Sequence, residues 1–143
     1  MRWYATHAIS LKTLKTIIDD INSSNLIPGT VIDGIVCTKM KDSSDLHRNL
    51  SDVSTTSAII GNTLRSCLED YKKKHPQVTL IQEWEIINGY NLQKYNPGQG
   101  YHISHCENGG GAGLQRVLAW MIYLNTVNDG GGTSFDNYNI AQG

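Results

Sequence analysis

Apolar residues near the start of the chain recur every three or four positions, at Leu11, Leu14, Ile18 and Ile21. This is the spacing of one helical face, and Ser10 can accept from an orphan amide of the first turn, so the pattern predicts a helix running to about Asn22. Asn22-Ser23-Ser24-Asn25 and Pro28-Gly29 then break the chain. Residues 31–38 read as a short buried strand and the polar run 39–54 as a loop. A second helical stripe, Ile60, Leu64, Cys67, Leu68 and Tyr71, stops at His75-Pro76, because a residue before proline is pushed out of helical conformation.

From Val78 the period changes. Short β-prone runs at 78–87, 89–95, 100–107, 116–125 and 133–140 are separated by Gly- and Asn-rich turns. Helices first and strands afterwards suggest a single α+β domain, with 1–77 a helical preface holding one early strand. Residues 78–143 would then build a sheet sandwich or jelly roll.

Composition narrows the function classes. With 39% hydrophobic residues in 143, the chain can build one core and bury roughly 65–70% of its unfolded surface. A formal net charge of -1 offers no basic face for a nucleic-acid partner. Lys72-Lys73-Lys74, the one basic cluster, falls at a helix end and complements the helix dipole. No run is long enough to span a membrane, and the N-terminus has no apolar signal core. Cys37, Cys67 and Cys106 are odd in number and widely spaced, which points to reduced, mostly buried thiols and a cytoplasmic protein.

His105-Cys106-Glu107 is the first candidate for chemistry. In a strand, His105 and Glu107 share a face and Cys106 points away. An imidazole beside a carboxylate is two-thirds of a 2-His-1-carboxylate triad, which leaves open positions on Fe(II). Tyr101 and Ile103 fall on the same face and His102 on the other. In 116–125, Val117, Ala119, Met121, Tyr123 and Asn125 line one face, and Leu118, Trp120, Ile122 and Leu124 line a core face. Tyr123 reads either as a pocket residue or as a core tyrosine. The glycine-rich 108–113 has neither a following helix nor a Gly-Lys-Ser/Thr ending, so it is no phosphate loop. It reads instead as a connector able to move over a pocket.

Taken in order, Tyr95-Asn96-Pro97-Gly98-Gln99-Gly100-Tyr101, His105-Cys106-Glu107, Tyr123-Leu124-Asn125 and Gly131-Gly132-Thr133-Ser134-Phe135 resemble the prolyl 4-hydroxylase-like branch of the 2-oxoglutarate/Fe(II) oxygenases. The likeness is to the small phage and bacterial members. It implies a double-stranded β-helix (a jelly roll) with N-terminal helices packed on it. His105 and Glu107 match the first two iron ligands, and Tyr123 matches a tyrosine that binds the distal carboxylate of 2-oxoglutarate. Tyr95 and Tyr101 match pocket-wall tyrosines, and Thr133 and Phe135 belong to the pocket-closing strand. Arg116 matches a basic residue that opens its strand. The implied cofactors are Fe(II) and 2-oxoglutarate, with ascorbate as an accessory. The implied reaction is oxidative decarboxylation of 2-oxoglutarate to succinate, coupled to hydroxylation of a prolyl or related residue or a small molecule.

The family's third ligand, a histidine, and the Lys or Arg that pairs with the cosubstrate lie beyond the position where this chain ends at Ala141-Gln142-Gly143. His7, His47 and His75 occupy a terminus, a loop and a helix end and offer no substitute. The expectation is therefore a truncated chain whose last jelly-roll strands are missing, with weak iron binding and little or no activity. The competing readings are a non-catalytic jelly-roll binding module and a zinc site built on His105 and Glu107, for which a third ligand is lacking.

Overall fold

The computed structural model describes residues 9–31, 34–80, 83–108, 114–135 and 140–142. It is mixed α/β, with two helices and a small antiparallel three-stranded sheet. Two compact units divide the chain: residues 1–26 with 46–92, and residues 27–45 with 93–143. Among the described residues no helix is long and apolar enough to cross a membrane.

Helix α1 (Leu11–Ser23) starts where the apolar stripe predicts, and Ser10 Oγ accepts from the Thr13 amide at 3.2 Å. It buries Ile17 and Ile21. Of the predicted stripe only Ile21 is buried, Leu14 and Ile18 are half-buried and Leu11 is exposed, so the buried face is turned towards Ile17. Helix α2 (Thr55–Lys74) begins earlier than its stripe suggests. Ser54 caps it through the Ser57 amide, and the first turn, Thr55-Thr56-Ser57, is polar although Thr56 and Ser57 are buried. Lys72, Lys73 and Lys74 occupy its last turn, where cations meet the dipole. A 3-10 helix, Pro76–Leu80, follows, and its Val78 carbonyl accepts from the Trp84 indole at 2.9 Å.

Strands β1 (Ile27–Pro28), β2 (Ser44–Asn49) and β3 (Gly89–Lys94) form one sheet in the order β1-β2-β3. In β1 and β2, Ile27 faces Asp45 and Pro28 faces Ser44. Strands β4 (Thr133–Phe135) and β5 (Ile140–Gln142) pair antiparallel, with Phe135 opposite Ile140. Gly130 and Gly131 enter this hairpin at φ of 78° and 71°, a left-handed turn that a side chain would strain.

Several elements differ from the sequence reading. Residues 31 and 34–38 carry no strand: the Val31 amide bonds the Ile35 carbonyl, and Gly34 sits at φ 74°. Strand β2 lies in the stretch read as a loop. Of the described parts of 78–87 and 100–107, the first is 3-10 helix and irregular chain, and the second has only a Lys41–Tyr101 bridge. Residues 116–125 carry no ladder. Cys106 is exposed and Cys37 and Cys67 are half-buried, so the thiols are less buried than expected.

Every buried large apolar side chain among the described residues belongs to the first unit: Ile17, Ile21, Leu46, Ile60, Val78, Tyr90 and Leu92. Within that core the Tyr90 hydroxyl lies 2.9 Å from Ser57 Oγ. Tyr90→Phe would leave a buried hydroxyl without this partner, at a cost of about 1–2 kcal/mol in denaturant unfolding. Adding Ser57→Ala should recover part of that loss, and full additivity would show that the two groups are independent. Burial, more than any neighbouring charge, holds the Tyr90 phenol above its usual range. Its contribution to stability is therefore complete below about pH 10 and is lost as pH rises through the folded value.

Candidate metal centre

The candidate ligands lie in irregular chain and a turn, not in a strand. A bend at Ile103 and a turn at Glu107–Asn108 replace the alternation that the sequence suggested. The two side chains still meet: His105 Nε2 is 3.6 Å from Glu107 Oε1. Two ligands at about 2.1 Å from a divalent first-row metal, in adjacent positions, stand about 3.0 Å apart, so a small closure brings both onto one ion.

The imidazole has a defined donor side. His105 Nδ1 lies 3.2 Å from the Ile103 carbonyl, and a carbonyl can only accept. This contact calls for a proton on Nδ1, and it turns Nε2 towards Glu107. A backbone acceptor behind the far nitrogen is the usual support of a metal-binding histidine. On the other flank, Arg116 Nη1 bonds Glu107 Oε2 at 2.9 Å and the Glu107 carbonyl at 3.2 Å. Oε1 is thereby left as the atom facing the imidazole. The side chains of His105 and Glu107 are 41% and 50% exposed, so solutes can reach the pair.

Tyr101 stacks on His105, with ring centroids 4.1 Å apart and planes 18° from parallel. Tyr123 and Thr133 form a second group, their hydroxyls 2.7 Å apart. Tyr95 donates to Gln93 Oε1 at 3.0 Å. Its phenol is pushed up first by burial and then by the negative charge of Asp45, with the Ser43 hydroxyl opposing. His102, set aside as a ligand, is exposed with its ring against Gly100. Among the described residues no three His, Cys, Asp or Glu converge to hold a metal, so the pair stands without a third ligand.

Sequence reasoning missed a cluster beside this pair. Lys41, Ser43 and Asp45 are all buried, and Lys41 Nζ bonds Asp45 Oδ2 at 2.6 Å. Ser43 Oγ donates to Asp45 Oδ1 at 2.7 Å. The only signal in the sequence was their alternation, one polar residue at every second position.

No family model matches the chain, and no curated protein or solved structure is found to be similar to it.

Proposed function

We propose that this chain carries the metal-binding half-site of an Fe(II)- and 2-oxoglutarate-dependent oxygenase, with His105 and Glu107 as ligands. The observation behind it is the directed imidazole: Nδ1 held by the Ile103 carbonyl and Nε2 set 3.6 Å from a carboxylate oxygen. The motif resemblance supplies the rest of the proposal, namely the jelly roll, the prolyl or related substrate and ascorbate as accessory. Bound iron with 2-oxoglutarate would supply the oxidising chemistry. The protein's own residues bind and orient: Tyr101 braces the imidazole by stacking, Arg116 fixes which oxygen Glu107 presents, and Tyr123 with Thr133 offers hydroxyls to the cosubstrate carboxylate.

Because a third ligand is lacking among the described residues, free imidazole can be added to supply it. Succinate formation from 2-oxoglutarate with Fe(II) should be slight without imidazole, rise with it, and vanish in His105→Ala. Equal succinate from His105→Ala would overturn the proposal. Tyr123→Phe removes a hydroxyl that can meet a charged carboxylate, and should weaken 2-oxoglutarate binding by about 1.5–3 kcal/mol in calorimetry. An unchanged affinity would make Tyr123 a packing residue.

The exposed apolar side chains of the second unit favour a different reading, a non-catalytic binding module. Trp120, Met121 and Tyr123 are 39%, 61% and 41% exposed. On that reading no succinate forms with or without imidazole.

A further inference from the structure

The second unit buries ions where a domain ordinarily buries hydrocarbon. Its buried side chains among the described residues are Lys41, Ser43 and Asp45, with Lys41 4% and Asp45 1% exposed. An ion pair this deep is a poor source of stability, because desolvating both charges offsets most of their attraction. What a satisfied buried pair can provide is a unique geometry, since each partner must meet the other at one distance and angle.

The packing around the pair is correspondingly tight. Both Asp45 oxygens are taken, one by the Lys41 ammonium and one by the Ser43 hydroxyl. Gly29 closes over them: its amide bonds the Ser43 carbonyl at 2.8 Å, and a Cβ there would fall on the Ser43 hydroxyl.

From this cluster a line of contacts leads to the candidate ligand. Lys41 forms the β-bridge with Tyr101, and two backbone bonds flank it, Asp42 N–H to the Gly100 carbonyl at 2.8 Å and His102 N–H to the Met40 carbonyl at 2.7 Å. The Lys41 ammonium lies 5.9 Å from the centre of the Tyr101 ring, at the outer range of a cation–π contact. The same ring stacks on the His105 imidazole, with centroids 4.1 Å apart.

We infer that Lys41 and Asp45 are positioning residues: the buried pair fixes the Tyr101 ring, and the ring fixes the imidazole of His105. The metal role of His105 rests on the reading above, whereas the positioning chain stands or falls on its own measurement. The probe is the NMR signal of the His105 ring protons, which the Tyr101 ring current displaces in the stacked state. Tyr101→Leu gives the unstacked reference. Removing both charges together, by Lys41→Met with Asp45→Asn, should move the His105 signals at least halfway to that reference. Tyr90 signals in the first unit should stay in place, which a general loss of structure would not allow. The double variant should also bind Mn(II) about tenfold more weakly, the cost of losing an outer partner. Unmoved His105 signals in the folded double variant overturn the inference. Should that variant fail to fold, the native protein decides: cross-relaxation from the Lys41 Hε protons to the Tyr101 ring, and from that ring to His105, is expected, and the absence of either overturns it. Should the native protein bind no Mn(II), the metal reading fails while the NMR result still judges the positioning chain.

Discussion

Asp45→Ala should cost about 3–5 kcal/mol, because it leaves the Lys41 ammonium buried without its carboxylate. Lys41 is 4% exposed and cannot turn to water without opening the cluster, and Ser43 loses its acceptor in the same step. Against a total stability of roughly 5–15 kcal/mol, this removes a large part of the margin. Hydrogen exchange should report it first at the Asp42 and His102 amides, whose backbone bonds lie beside the pair. Removing both charges with Lys41→Met and Asp45→Asn should cost far less, because no ion is then stranded. A loss below about 1 kcal/mol in Asp45→Ala would mean that the pair is hydrated in solution.

His105→Ala, and separately Glu107→Ala, should lower Mn(II) affinity by more than the roughly 10–100-fold expected for loss of an outer partner. The reason is the geometry of the pair: each residue supplies one of two donor atoms 3.6 Å apart, and among the described residues no third His, Cys, Asp or Glu converges to make good either loss. Cys106 lies between them in sequence and is exposed. Cys106→Ala should therefore leave the affinity unchanged, and paramagnetic relaxation of solvent water by Mn(II) measures all three variants. A comparable loss in Cys106→Ala would place the ion elsewhere.

What the sequence disclosed follows from which forces are local. Helix α1 was legible because its apolar stripe and its Ser10 cap lie within a few residues of one another. The start of α2 was hidden because Thr56 and Ser57 are buried polar residues, one of them satisfied by Tyr90 far along the chain. Strand β2 has the sequence of a loop for the same reason. Two adjacent positions, Asp45 and Leu46, are buried, and the Asp45 carboxylate is neutralised by Lys41, so no apolar alternation marks the strand. The reverse error occurred at 116–125, where an alternating run has no ladder among the described residues. Alternation states that a segment can pair, and the partner is a non-local fact.

The candidate site shows the same division. Strand parity placed His105 beside Glu107, and the side chains do approach, but a bend and a turn bring them together and not a pleat. Tyr123 and Thr133, named separately from the motif likeness, lie within hydrogen-bond distance. The Arg116 contact with Glu107 spans nine residues and the Lys41 cluster reaches Tyr101 across sixty, so neither could be read from spacing.

If His105 and Glu107 hold a metal that 2-oxoglutarate chelates, as proposed, Mn(II) affinity must respond differently to 2-oxoglutarate and to succinate. A 2-oxo acid offers a metal two adjacent oxygen donors, whereas succinate lacks the keto group. 2-Oxoglutarate should tighten Mn(II) binding at least about tenfold, a coupling of about 1.4 kcal/mol, succinate should not, and His105→Ala should abolish the difference. Equal affinity with both acids, or tightening that survives His105→Ala, would contradict the proposal.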